Sequence, residues 1–417
     1  MHSARVKGAA LLAAVALLAT ARLATAAPAP DSDQDLRKQA LKLNNVTGED
    51  PIKGQIAALV KDAPATKKLL AVAAGMAKEK DQPLNYNALY ILGQTAYFLK
   101  DDADAETFYR LAIKQANELH SGVKQVQAYT GLLSVLQADK RFKEAEKVCK
   151  EILALPGEED TLLRFKVYTY RRLALIEAHL GNVEEANKII DKFLSRDPDN
   201  WLTLELKGEV QREAGQYAEA TKTYQNVLEH IEKDKELKKE EHDAYAGEVR
   251  YILSQLYMEQ NEVKKATDEL EKAAALDPKN PTYKNDLGYI WADHDQKLDE
   301  AEKLIRKALE LDRKERKENK VTADDDHDNG AYLDSLGWVL YKKKQYKEAL
   351  EALKQAVQDK ESQHVEIYSH LGDVYMALGD KGEAAKAYKE GIKVAGPTKR
   401  EQEIKGEVEK KLKDAQK

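Results

Sequence analysis

Eight times along the chain an alanine is followed, four and seven residues later, by an apolar or small residue. The sets are Ala105/Tyr109/Ala112, Ala145/Cys149/Ile152, Ala186/Ile190/Phe193 and Ala220/Tyr224/Val227, then Ala266/Leu270/Ala273, Ala301/Ile305/Ala308, Ala349/Leu353/Ala356 and Ala384/Tyr388/Gly391. Such positions share one stripe of a helix, and a small leading residue lets a neighbouring helix come close. Thirteen residues or so upstream lies a second stripe, marked by Leu92, Leu132, Leu173, Lys207, Leu253, Leu287, Leu336 and Leu371. Five of these eight precede a glycine: Gly93, Gly208, Gly288, Gly337 and Gly372. The pattern predicts pairs of helices, each of about a dozen residues, joined by short turns.

Small–large–Gly on a first helix, Ala–aromatic–Ala on a second and a proline at the exit resemble the tetratricopeptide repeat (TPR). The fullest copies are Asp334-Ser335-Leu336-Gly337-Trp338 with Tyr346-Lys347-Glu348-Ala349, and Leu371-Gly372-Asp373-Val374-Tyr375 with Gly379 and Ala384. Exit prolines stand at Pro198 and Pro278, while Leu133 and Ala174 replace the glycine in two copies. The resemblance covers residues 86–396, with repeats near 86–119, 126–159, 167–200, 201–234, 247–280, 281–315, 330–363 and 365–398. It implies an all-α fold, a right-handed superhelical solenoid of about eight hairpins, and stacking is obligatory because no hairpin buries its apolar face alone.

Marker alanines are spaced 40, 41, 34, 46, 35, 48 and 35 residues apart, so some copies carry extra residues. The run Lys233 to His242 is expected to prolong a second helix, and Arg313 to Asn329 to form an exposed loop. The copy 281–315 has one extra residue in its turn, before Leu298. Residues 27–85 form a linker and helical cap whose firmest segment is Lys67-Lys68-Leu69-Leu70-Ala71. Residues 398–417 are expected to form a capping helix with Ile404, Val408 and Leu412 inward.

The first 26 residues read differently. Arg5 and Lys7 precede the apolar run 8–21, and Ala24-Thr25-Ala26 offers small residues for cleavage, which predicts a signal peptide and a secreted or periplasmic protein. No cysteine near that point allows lipid attachment, and no later run is apolar enough to insert stably in a membrane. Cleavage deletes three positive charges and no acid, taking the net charge from −6 to −9, which argues against nucleic-acid binding.

The resemblance implies that first-helix residues flanking the packed leucine line a concave groove for a protein or peptide partner. One cluster expected there is Asn285, Tyr289, Asp334, Trp338 and Tyr341, with Asp373 on the next hairpin; amphipathic aromatics bury much area at low entropic cost. A second is Tyr90, Tyr97, Tyr168 and Arg171, whereas Glu205, Glu209 and Arg212 suit a solvated face. The alternative reading of Trp338 is ordinary packing between hairpins. The subtype that grips a C-terminal carboxylate is not matched, because Asn285 lacks the accompanying lysine and Leu175 stands four residues after Arg171.

Catalytic chemistry finds no footing. His364 and His370 are six apart and share no helix face, and a helix-borne zinc pair is absent. Asp324, Asp326 and Asp328 alternate as in a calcium loop, but Gly330 comes one place late and Ser335 stands where a glutamate should close the site. Cys149, the single cysteine, falls at a core position. Lysine runs such as Lys342-Lys343-Lys344 read as solvated faces. With no cofactor motif, no metal site and no catalytic residue, the expected function is a non-enzymatic protein–protein interaction scaffold in envelope assembly or secretion. The alternatives are a glycan or small-ligand module, or the non-catalytic subunit of an enzyme complex.

Overall fold

The computed structural model describes residues 32–417 apart from 80, 82, 158–159, 319–326, 360–362 and 397–398, so the expected signal peptide lies outside the described residues. The chain divides into two units, residues 1–216 and 217–417. The first holds α1 (Asp33–Lys42), α2 (Glu49–Lys61), α3 (Ala63–Ala77), α4 (Tyr86–Phe98), α5 (Asp102–Glu118), α6 (Gly122–Ala138), α7 (Phe142–Ala154), α8 (Asp160–His179), α9 (Val183–Leu194) and α10 (Trp201–Glu213). The second holds α11 (Tyr217–Lys233), α12 (Lys239–Glu259), α13 (Val263–Leu276), α14 (Pro281–Asp293), α15 (Leu298–Glu318), α16 (Gly330–Lys342), α17 (Tyr346–Ala356), α18 (Val365–Ala377), α19 (Lys381–Val394) and α20 (Lys399–Ala415). No strand occurs among the described residues.

Helix starts are set by short polar caps. Asn85, Asn200, Asn280 and Asn329 each turn a side-chain oxygen to free backbone N–H groups at the head of a first helix. Within each unit the first helices touch in series, α4–α6–α8–α10 and α14–α16–α18–α20, while from α5 onward the second helices make no comparable contact with one another among the described residues. The first-helix layer is therefore the tighter side of each stack. Buried apolar side chains run continuously from Leu36 to Ile176 in one cluster and from Leu270 to Ala387 in another.

The marker alanines lie in the core, and the residue four places on presses against the glycine of the partner helix. A Cβ on Gly288 would meet the Ala301 carbonyl oxygen at 2.8 Å and Ile305 Cγ1 at 2.7 Å; one on Gly372 would clash with the Tyr388 ring, 2.2 Å from Cε1. Each first helix closes in the same way. The chain takes one left-handed residue, at Lys100, Lys140, Gly181, Gly215, Asn261, Asp295, Lys344 and Gly379. The next N–H then bonds a carbonyl five residues back, as from Asp101 to Ala96, Gln345 to Leu340 and Asp380 to Tyr375.

Two expectations about the insertions are corrected. The second helix α11 stops at Lys233, where Glu236 N–H bonds Asp234 Oδ1 in a turn, and the remaining charged run starts α12, whose Glu241 side chain accepts from Lys238 N–H. Extra length therefore goes to the first helix of the following hairpin. Arg313 to Glu318 is helix rather than loop: Arg313 and Arg316 lie one turn apart and both bond Asp328, which holds the extended end of α15. The extra residue before Leu298 is taken up by a turn with two left-handed residues, Asp295 and Lys297. Of the capping segment, Val408 is fully buried, with Ile404 and Leu412 beside it.

Two stability predictions follow from the backbone. Glycine to alanine inside a helix ordinarily stabilises by about 0.5–1 kcal/mol. Gly54, with open space around it, is expected to obey this, and Gly288→Ala to reverse it, losing about 1–3 kcal/mol through overpacking. Urea melts decide, and equal signs would remove the proposed close contact. Left-handed lysines carry a steric cost of about 1 kcal/mol that glycine avoids. Lys140→Gly and Lys344→Gly are therefore expected to raise the melting midpoint, whereas a fall would show that the lysine side chains matter more than the turn.

Candidate partner-binding face

In the C-terminal unit the first-helix layer brings Tyr289, Trp338, Tyr341 and Asp373 to one region. Tyr289 on α14 donates its hydroxyl to Glu366 Oε1 on α18 at 2.8 Å, passing over α16 altogether. Such a reach is possible only where the layer curves inward. Trp338 stacks on His370 at 4.1 Å and on Tyr341 at 5.1 Å, and Tyr346 continues the row at 5.6 Å. Trp338 Nε1 donates to Asp293 Oδ1 at 3.1 Å, which fixes its rotation. The tryptophan thus packs one hairpin on the next, as the alternative reading expected, and is itself half-buried.

The polar members behave differently from expectation. Asp334 is buried, not exposed, and its Oδ1 lies 2.9 Å from His370 Nδ1. Asn285 is also buried; its Nδ2 donates to Asp286 Oδ1, while its own Oδ1 finds no partner among the described residues. Asp334 thereby faces α18, the neighbouring first helix. Asp373 accepts from Tyr388 Oη at 2.8 Å and from Lys411 Nζ at 2.6 Å, so α20 closes this end of the face. Sequence reasoning set His370 aside. Its signal was its distance from Asp334, 36 residues, close to one repeat, which places the two on adjacent first helices.

The lysine run is likewise not a free surface. Lys342 reaches the Asp293 carbonyl and Asp295, and Lys343 reaches Asp299 and Glu302, tying hairpin to hairpin. Cys149 is fully buried, and burial pushes its thiol up to about 12, so it is an inert core group. Asp324 and Asp326 of the calcium-like run lie outside the described residues; Asp328 is committed to Arg313 and Arg316, and Asn329 caps α16.

The N-terminal unit divides its expected cluster. Tyr90 stacks on Tyr86 at 5.9 Å and accepts from Gln94. Tyr168 and Arg171 sit on α8, where Tyr168 is exposed and Arg171 donates to the Leu202 carbonyl at 3.0 Å. Tyr97 contributes to the surroundings of Arg172, a residue that sequence reasoning passed over. Glu209, expected on a solvated face, is half-buried, and burial raises its carboxyl above the usual range although Arg212 and Arg171 oppose this.

Burial by itself disfavours a charged His370. The Asp334 carboxylate and its hydrogen bond, with Glu366 and Asp373 farther off, outweigh that and hold the imidazole above its ordinary value of 6.5. A raised folded value means that the stabilisation is complete below pH 6.5 and is lost as pH rises through the folded value. Urea midpoints measured across that window should fall more steeply with pH for the native chain than for Asp334→Asn. Parallel profiles would show that the pair does not titrate with folding.

Comparison with known proteins places these hairpins in a family. Models described as TPR or tetratricopeptide repeat match residues 171–232, 211–287, 337–379 and 365–396. The TPR repeat-containing protein PA4667 of Pseudomonas aeruginosa is 30% identical over 194 residues, 46% of this chain and 28% of that protein, so the chain spans well under half of its length. Among solved structures, PilF of Pseudomonas aeruginosa is 18% identical with a TM-score of 0.40, covering 58% of this chain and 97% of that one. YrrB, described as a TPR protein with an unusual peptide-binding site, is 16% identical with a TM-score of 0.34, covering 53% and 97%. No helix among the described residues is long and apolar enough to cross a membrane. Four repeat matches on the stacked hairpins of an all-helical fold show that the protein is a tetratricopeptide-repeat protein.

Proposed function

We propose that the protein is a non-catalytic scaffold that holds a peptide or helix of a partner protein on the first-helix face of its C-terminal unit. The observation that carries this is the half-exposed aromatic row Trp338–Tyr341–Tyr346, backed by buried His370 and locked by the Asp293 and Asp334 bonds. Rigid aromatics pay little entropy on binding and are enriched at binding hot spots. A sugar needs an open ring face, whereas Trp338 already stacks on His370 and Tyr341 and has Lys342 Nζ 5.1 Å from its ring centre. That arrangement favours polypeptide over glycan. The envelope setting rests on the signal-like residues 1–26.

A photo-crosslinking amino acid placed at Tyr341 in living cells should trap one protein in the envelope fraction, and the same group at exposed Lys354 on α17 should trap none. Tyr341→Ala should weaken that complex by about tenfold or more. Equal capture from both positions, or a partner confined to the cytosol, would contradict the proposal.

A further inference from the structure

A cleft of about 380 Å³ opens in the C-terminal unit between α12 and the start of α14, and no residue of the aromatic row lines it. The insertion before this hairpin builds it. Helices α14, α16 and α18 are 13 residues long, whereas α12 has 21. The added N-terminal turns supply Asp243, and the same wall continues through Gly247, Glu248 and Tyr251 at three- and four-residue spacing. Asp277 and Tyr283, around the turn into α14, form the opposite wall. The backbones of α12 and α14 stand farther apart than those of α14 and α16, and side chains span the gap. The Tyr251 and Tyr283 rings lie 5.1 Å apart, and Tyr251 donates its hydroxyl to Asp286 Oδ2 at 2.7 Å.

The cleft therefore joins two phenol rings to three carboxylates, with a fourth, Asp286, behind Tyr251. Burial lifts the Tyr283 hydroxyl above the tyrosine range, and Glu248 and Asp277 both push it further, so these two acids converge on that ring. The nearby basic groups are His242, whose Nδ1 is 3.1 Å from Asp243 Oδ1, and Lys284, which senses Asp277; neither lines the cleft. Gly247 keeps the space open. A Cβ there would meet Tyr283 Cε2 and Oη at 3.8 Å, an ordinary contact, and a longer side chain would lie against the ring. Ring faces attract cations, carboxylates supply counter-charge, and an apolar stem gains from both rings. No acidic group among the described residues is gathered closely enough to hold a metal ion, so the chemistry suits an organic cation.

We propose that this cleft binds an alkylguanidinium or alkylammonium group, its stem on Tyr251 and Tyr283 and its charge met by Asp243, Glu248 and Asp277. An arginine or lysine of a polypeptide and a free polyamine both offer that chemistry. The site does not depend on the reading of Tyr341.

Calorimetric titration of the full-length chain tests it with three probes: acetyl-Ala-Arg-Ala-amide, its citrulline counterpart and spermidine. The arginine peptide should bind saturably, and citrulline, which keeps the shape without the charge, should bind about tenfold more weakly. Saturation by the peptide alone assigns the cation to a polypeptide, whereas spermidine binding as tightly assigns it to a free amine; both results support the site. Asp243→Asn with Glu248→Gln, at accessible positions, should weaken binding by about tenfold. Gly247→Leu should abolish it without lowering the urea midpoint, and Tyr341→Ala should leave it unchanged. Equal affinity for the arginine and citrulline peptides, no saturable binding of either charged probe, or undiminished binding by the double carboxylate variant would overturn the proposal.

Discussion

The contact on which everything else rests is that between the glycine of a first helix and the side chain four residues past the leading alanine of the second. Where Ile305 lies on Gly288 or Tyr388 on Gly372, two backbones come close enough to exclude both water and a Cβ. That approach fixes how the two helices of a hairpin cross. The turn must then deliver the chain at the same angle each time, which is why one left-handed residue recurs at the end of every first helix, even where it is a lysine. With the hairpin set, its remaining apolar stripe has no choice but to meet the next hairpin.

Much of this was legible because it repeats. A single alanine at helical spacing means little, but eight of them carry the architecture, and Leu371-Gly372 with Tyr388 already encodes a close contact. Turn chemistry was less legible, since only Gly181, Gly215 and Gly379 among the left-handed positions advertise themselves. The insertions were misjudged for a related reason. A charged run such as Lys233 to His242 is equally good helix on either side of a break, and the break is set by a local turn at Asp234 that no periodicity reveals.

For the candidate face, the layer that holds the aromatics was legible and the burial of the polar groups was not. Tyr289, Trp338 and Tyr341 follow from their position on the helix. Whether Asp334 is exposed depends on which residue the next first helix sends opposite it, and His370 answers that only in three dimensions. Arg172 was invisible for the converse reason: it reaches Gln137 and Ser134 on α6, and nearness across α6 and α8 is not written in either helix alone.

Repeat stacks are usually treated as a row in which each unit feels only the one before and the one after. The Tyr289 hydroxyl on Glu366 breaks that rule, because it joins α14 to α18 and skips the hairpin between them. A next-nearest tie changes how the stack comes apart. The middle hairpin, α16–α17, can no longer fray independently, since opening it strains a bond that neither of its helices makes. Three hairpins are thereby coupled beyond nearest neighbours.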